Sequence, residues 1–281
     1  MMSNTREEKI LEEIRAWEDS YFEEAGSDLT LTYHKWMNEV YAAAEGKWKG
    51  KLLTAVDDVL FHVQSALQQT RYEKQTVEYL LTEARVFRSD IREIEDLKKL
   101  SIDQLRFMAR KQLAKQRLVA LAQGGVTGFG GVLFTLSDLP LLLAINLRTI
   151  QRIAMTYGYD MRKPYEMMFV LKVFHVVTLP RHLQYEAWSQ LEHEAGSADE
   201  DWIFYDGEDS VVTDAWMQRP LQNVTKLFVL TVLRKKLVQG IPLFSIFTGA
   251  AYNYQLTKQV AEAAHQFYQK RHLTEKLRMK P

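Results

Sequence analysis

The stretch from Leu118 to Leu147 constrains this chain more than any other. It runs LVALAQGGVTGFGGVLFTLSDLPLLLAINL and holds one ionisable side chain, Asp138. Five of the chain's 13 glycines fall between Gly124 and Gly131. Arg110, Lys111, Lys115 and Arg117 precede the stretch, and Arg148 and Arg152 follow it. A spanning helix needs about 20 uninterrupted apolar residues. Residues 118–137 reach that count, but Gln123 and the glycines make them weakly hydrophobic, and residues 139–147 are too few to return across a bilayer. With both flanks basic, both ends would stay on the cytosolic side. The geometry suits a glycine-rich helical hairpin, either buried in the core or shallowly re-entrant. It does not suit two spans.

The glycine pattern rules out two familiar chemistries. A P-loop needs Lys and Ser/Thr after its last glycine, whereas Gly131 and Val132 follow Gly130. The G-x-G-x-x-G dinucleotide pattern is absent, and no strand precedes the cluster. Close helix packing fits better. Gly124 and Gly128 lie four apart, so one helix face there has no side chains. A second charge-free run, Leu237 to Thr257, repeats Ser245, Gly249, Asn253 and Thr257 every fourth residue. The two stripes are candidate partners, the bland alternative being two ordinary core helices. Gly124, Gly128, Gly131, Ser245, Gly249 and Asn253 are the expected packing positions. Asp138 and Arg148 are the polar groups expected beside them, and Gly128 is expected to face another helix.

Elsewhere the chain reads as helix. Ile10, Leu11, Ile14, Trp17 and Tyr21 have helical spacing, with Thr5 and Glu8 in the capping-box pattern. Trp36 to Gly46, Lys51 to Leu67 and Thr76 to Arg88 predict further helices. Ser101 and Gln104 repeat the capping-box pattern and open a helix with Leu105, Met108, Ala109 and Leu113 on its apolar side. Asp138 to Tyr157 begins with a capping residue and Pro140, and Gly158 stops it. Pro164 to Leu179, Arg181 to Glu194 and Leu243 to His272 complete the series. The expected fold is all-α, a multi-helix bundle in which the glycine-rich apolar hairpin packs against a long C-terminal helix. A loose boundary near Lys99 divides it into an N-terminal helical region, 1–99, and a helical core, 100–281, which together can form one continuous domain.

Charge and composition exclude several functions. Lys plus Arg equals Asp plus Glu at 36 each, so no overall field favours nucleic acid as a partner. The chain has no cysteine, which removes thiolate chemistry and suits the cytosol. The N-terminus lacks the apolar core of a secretory signal. Glu192 to Asp214 holds nine carboxylates with no Lys or Arg, but lacks the register of a calcium loop and reads as a solvated acidic loop. The seven histidines show no H-E-x-x-H spacing, and there is no G-x-S-x-G elbow. No catalytic, cofactor or metal residue is expected.

Two blocks resemble a known family. The first runs from Gly124 through Ser137-Asp138-Leu139-Pro140 to Leu147-Arg148, Ile150, Ile153-Ala154 and Tyr157-Gly158-Tyr159-Asp160. The second holds Ile241-Pro242, Gly249-Ala250, Asn253-Tyr254, Ala264 and Tyr268. Together they resemble the EcsC family over residues 70 to 275, while the first 70 residues match no signature. The resemblance implies a bacterial, helical protein. It also implies a link to ABC transporter subunits, because the founding member is encoded beside the ATPase and membrane subunits of an exporter. It carries over no catalytic residues.

The functional expectation is a non-enzymatic accessory protein, cytoplasmic and peripheral on the inner face of the cell membrane, associated with an ABC exporter. Near an anionic leaflet each basic residue contributes about 1 kcal/mol. The expected contacts are Arg106, Arg110, Lys111, Lys115, Arg117, Arg234, Lys235 and Lys236. The alternative is a soluble enzyme or small-ligand binder with Asp138, Arg148, Arg152 and Asn253 gathered around the hairpin.

Overall fold

The computed structural model describes residues 2–22, 70–114, 139–179, 181–197, 224–225 and 249–278. They form α1 (Met2–Phe22), α2 (Thr70–Arg85), a short 3-10 helix (Ile94–Lys99), α3 (residues 102–114), α4 (Leu139–Thr156), α5 (Pro164–Thr178), α6 (Arg181–Ser197) and α7 (Gly249–Arg278). There is no strand among the described residues, and the fold is all-α. The helices expected at 36–46 and 51–67, residues 198–214 of the acidic segment and the glycine-rich hairpin with Gly124, Gly128, Gly131 and Asp138 lie outside the described residues. So do Lys115, Arg117, Arg234, Lys235, Lys236, Ser245 and the side chain of Asn253. The start of the acidic segment, Glu192 to Ser197, is not a solvated loop but the end of α6, where Lys270 pairs with Glu192.

Local signals set most of the helix ends. The Ser101 backbone N–H donates to Gln104 Oε1 at 2.8 Å, and the Gln104 N–H donates back to Ser101 Oγ at 3.3 Å. Two backbone donors at the start of α3 are thereby satisfied reciprocally. The Thr5 pattern marks no boundary, because α1 is already helical from Met2. The helix expected at Thr76 starts earlier, at Thr70, and ends at Arg85, where residues 86–90 turn. Pro164 opens α5 from Lys163, where a missing N–H is harmless.

Gly158 ends the last turn of α4. Its φ of +84° is left-handed, its N–H donates to the Met155 carbonyl at 3.0 Å, and the Tyr159 N–H reaches the Ala154 carbonyl at 3.1 Å. This is a Schellman closure. It swings Tyr157 and Tyr159, both buried, into the core on either side of the glycine.

The C-terminal helix α7 is the axis of the packing. Its 30 residues extend about 45 Å. It packs most extensively on α4, and also on α5, α6 and α1. Short connections keep α4, α5 and α6 as successive neighbours. The four-residue register of the second stripe continues along α7 through buried Thr257, Ala261 and His265. Ala264 in α7 and Ala154 in α4 are both fully buried, small enough for close approach of two backbones. Val170, Leu171, Val173 and Phe174 bury successive positions of α5, as in a helix enclosed on most sides. α1 is held by rings: Trp17 lies 5.7 Å and Phe22 5.6 Å from Trp188 of α6, which in turn is 6.0 Å from Phe267 of α7. Among the described residues, no helix is long and apolar enough to cross a membrane.

The Gly158 turn is tested directly. A Cβ added there would sit 2.6 Å from Lys98 Cγ and 3.1 Å from the Lys98 backbone nitrogen. Gly158→Ala is expected to lose about 2 kcal/mol or more of stability, from the left-handed backbone and the collision together. Urea unfolding measures it, and a wild-type midpoint would refute this account of the turn.

Candidate functional site

Two places in the structure gather groups that could carry chemistry: a charged seam along the C-terminal half of α7, and the surface where α2 ends beside α3.

The seam is centred on Arg271. Its guanidinium donates to both oxygens of Glu166 in α5, at 2.8 and 2.9 Å, and its Nε donates to Glu275 at 3.1 Å. Lys98, from the 3-10 helix, reaches the other oxygen of Glu275 at 2.8 Å. Arg271 also lies over the rings of Tyr159 (4.2 Å) and Phe169 (4.6 Å), and Lys98 lies over Tyr159 at 4.4 Å. Burial opposes the charge on Arg271, but Tyr159, Glu166 and Glu275 outweigh it and push its pKa further up. Burial also opposes ionisation of Glu275, yet Lys98 and Arg271 hold that carboxyl below the usual range. At Glu166 burial prevails over Arg271 and moves the carboxyl upward. Two cations thus face two carboxylates, each held by more than one contact.

A second set of charges ties down α1. Lys270 pairs with Glu18 at 2.8 Å and with Glu192 at 2.5 Å, Trp188 Nε1 donates to Glu18 at 3.1 Å, and Lys276 pairs with Glu7 at 2.8 Å. Between α6 and α7 the seam opens into a cavity of about 190 Å³. Its cations are already engaged: Lys270 by two carboxylates, Arg271 by Glu166 and Glu275, and Arg278 by the Gly196 carbonyl. No group of His, Asp and Glu among the described residues could hold a metal ion. The seam therefore joins α1, the 3-10 helix, α5, α6 and α7 and leaves no charge unmatched within it. That arrangement orients helices.

The second place holds Arg106, Arg110 and Lys111, the three described members of the basic set singled out from the sequence. Arg106 is largely covered and pairs with Glu13 of α1 at 2.8 Å. Lys111 pairs with Glu83 of α2 at 2.7 Å. Arg110 is exposed and makes no ion pair among the described residues. Of the three described members of the basic set, only Arg110 presents its charge unopposed. Arg148 is half-buried on α4, as is Arg152, and both are engaged by neighbours. Gly249 opens α7.

Sequence reasoning missed the groups beside Arg110. Phe107 of α3 is 59% exposed, Val86 is 81% and Phe87 is 37%. The two phenyl rings meet edge to face, with centroids 6.2 Å apart. A signal for Phe107 was available. The buried positions of α3 are Ile102, Leu105, Met108, Ala109, Gln112 and Leu113, and Phe107 falls off that stripe.

Comparison with known proteins places this geometry in context. The EcsC protein family matches residues 8–273, which extends the resemblance back through the first 70 residues, where no signature was expected. The chain is 27% identical over 234 residues to the Bacillus subtilis (strain 168) protein YdbA, described as uncharacterized, covering 82% of this chain and 78% of that one. It is 28% identical over 182 residues to Protein EcsC of the same organism, covering 64% of this chain and 69% of that protein. No solved structure matches.

The seam yields two expectations. Arg271→Met leaves the Glu166 carboxyl buried without its cation and is expected to cost about 3–5 kcal/mol. Glu166→Leu combined with Arg271→Met is expected to recover much of that loss. Urea unfolding of both single variants and the double measures the coupling, and simple additivity would refute it.

Two buried histidines, His265 and His272, and the half-buried His175 shape the response to acid. Burial pulls His175 and His272 down to about 4, and pulls His265, which lies 2.9 Å from the Tyr157 hydroxyl, down to about 3. An unfolded histidine takes up its proton near pH 6.5. Below that value protonation favours the unfolded chain, so stability is fully present above pH 6.5 and is lost as pH falls toward 4. Glu192 acts in the opposite sense. Burial and Glu18 push it up to about 7, so its contribution is lost as pH rises through the same window. Glu166, also raised by burial, adds in the same sense as Glu192, but the three histidines prevail and the urea midpoint should fall between pH 7.5 and pH 5. His265→Gln should remove part of that slope.

Proposed function

The chain belongs to the EcsC protein family, and on that premise we propose that it is a non-enzymatic accessory protein that works at the cytosolic face of the cell membrane, held there by anionic lipid. The observation that carries this reading is the exposed Arg110. It extends from a helix that leads directly to Lys115, Arg117 and the charge-free glycine-rich run. Arginine beside a negative leaflet gains about 1 kcal/mol per residue, and the attraction fades within a Debye length, so several must act together. The matched charges of the α7 seam support the non-enzymatic part, because they are spent on holding helices together. Association with the ATPase and membrane subunits of an ABC exporter, implied by the family resemblance, is part of the same proposal.

Flotation of the purified full-length protein with vesicles tests the lipid part. It is expected to float with phosphatidylcholine vesicles containing phosphatidylglycerol at low ionic strength. It should stay behind with pure phosphatidylcholine, and also in about 1 M salt, where screening acts within about 3 Å. Arg110→Glu should weaken partitioning by roughly five- to tenfold. A protein that ignores anionic vesicles at low salt would overturn the reading.

A further inference from the structure

We propose that Val86, Phe87 and Phe107 form a wedge that enters the lipid interface, and that the cations around it seat it at the phosphates. This rests on the membrane reading above and names the surface that makes contact. Val86 and Phe107 are among the most exposed large apolar side chains of the described residues. Leu141 and Tyr185 are also exposed, but on α4 and α6, where single exposed apolar residues need no explanation. The wedge is different because the two phenyl rings come from separate elements and pack together at the surface.

The backbone beneath the wedge is built to hold it out. The Phe87 and Arg88 N–H groups both donate to the Ala84 carbonyl, at 3.0 and 3.1 Å. Arg85 Nε donates to the Ile91 carbonyl at 2.9 Å, which closes the turn from the other side. Val86 and Phe87 therefore project from a fixed turn, and Phe107 from the middle of a regular helix.

Charge selects lipid as the occupant. Residues 82–92 carry three basic side chains against two acidic, and residues 102–114 carry three against one, in a chain whose net charge is zero. The carboxylates are answered locally: Asp90 by Arg88 at 2.8 Å, Glu83 by Lys111 at 2.7 Å, and Asp103 by Arg6 at 2.8 Å. Arg110, one turn along α3 from Phe107, makes no ion pair among the described residues and leaves positive charge beside the exposed rings. Aromatic rings settle at headgroup depth, and basic side chains at the same level pair with lipid phosphates. A protein partner of ordinary composition would not need both features on so small an area, whereas an anionic bilayer supplies both at once.

The absence of cysteine makes the test clean, since one introduced thiol is the only labelling site. Val86→Cys and Phe107→Cys, each carrying a nitrobenzoxadiazole dye, are compared with Glu186→Cys, an exposed position on α6. Vesicles of phosphatidylcholine and phosphatidylglycerol should shift the emission of the first two dyes to the blue and expose them to quenching by nitroxide-labelled lipid. The Glu186→Cys label should not respond. The unlabelled variant Val86→Ser/Phe107→Ser should lose roughly ten- to a hundredfold in partitioning, with an unchanged thermal midpoint because both positions are exposed. If the protein floats with anionic vesicles while these labels stay in water and the serine variant floats equally well, the wedge is overturned and the membrane reading stands. A blue shift that grows with protein concentration in the absence of lipid would assign the surface to a second copy of the chain and overturn the wedge. Failure to float at all would overturn both.

Discussion

The described structure depends on one buried ionic contact, the two-pronged grip of Arg271 on Glu166. Taking two charges out of water is costly, and a buried pair seldom adds net stability over apolar residues of equal size. Its contribution is geometric. A guanidinium fork accepts a carboxylate in few orientations, so α5 and α7 have one rotational and axial setting at which the pair closes. Glu275 and Lys98 extend that restriction to the 3-10 helix, and the Tyr159 ring fills the space beneath both cations. Apolar packing alone tolerates many near-equivalent slides of one helix along another. The ionic contact removes them.

The fold class was legible because apolar spacing is a local property. Helix ends were legible where a single residue enforces them, as at Ser101 with Gln104, at Gly158 and at Pro164. The seam was not legible. Glu166 and Arg271 are 105 residues apart, and in sequence each looks like an ordinary polar residue at a helix surface. The best available hint was a lone carboxylate at the start of the otherwise apolar run after Pro164. The ion pairs within the basic cluster were hidden for the same reason. Arg106 and Lys111 look like free charge until the carboxylates of Glu13 and Glu83, 93 and 28 residues away, are placed beside them. Charge counted along a sequence overstates charge presented to a partner whenever neutralising groups arrive from other elements.

Interior and surface use opposite rules. Within the seam every ion is answered, and the answering groups fix orientation. Beside α3 the phenyl rings are exposed and Arg110 makes no ion pair among the described residues. Apolar side chains clustered at a surface mark a place where contact with another phase or molecule removes them from water.

The reach of the ionic contacts along the chain has a consequence for how the protein is made. Lys270 meets Glu18 across 252 residues, and Lys276 meets Glu7 at almost the full length of the chain. The axial helix is synthesised last. At ribosomal speeds of roughly 5–20 residues per second, α1 leaves the ribosome tens of seconds before α7 exists. During that interval the faces of α4, α5 and α6 that α7 covers stay open. Loop closure over such separations is slow as well. Nascent chains of this protein thus carry an unfinished apolar surface until their last helix emerges.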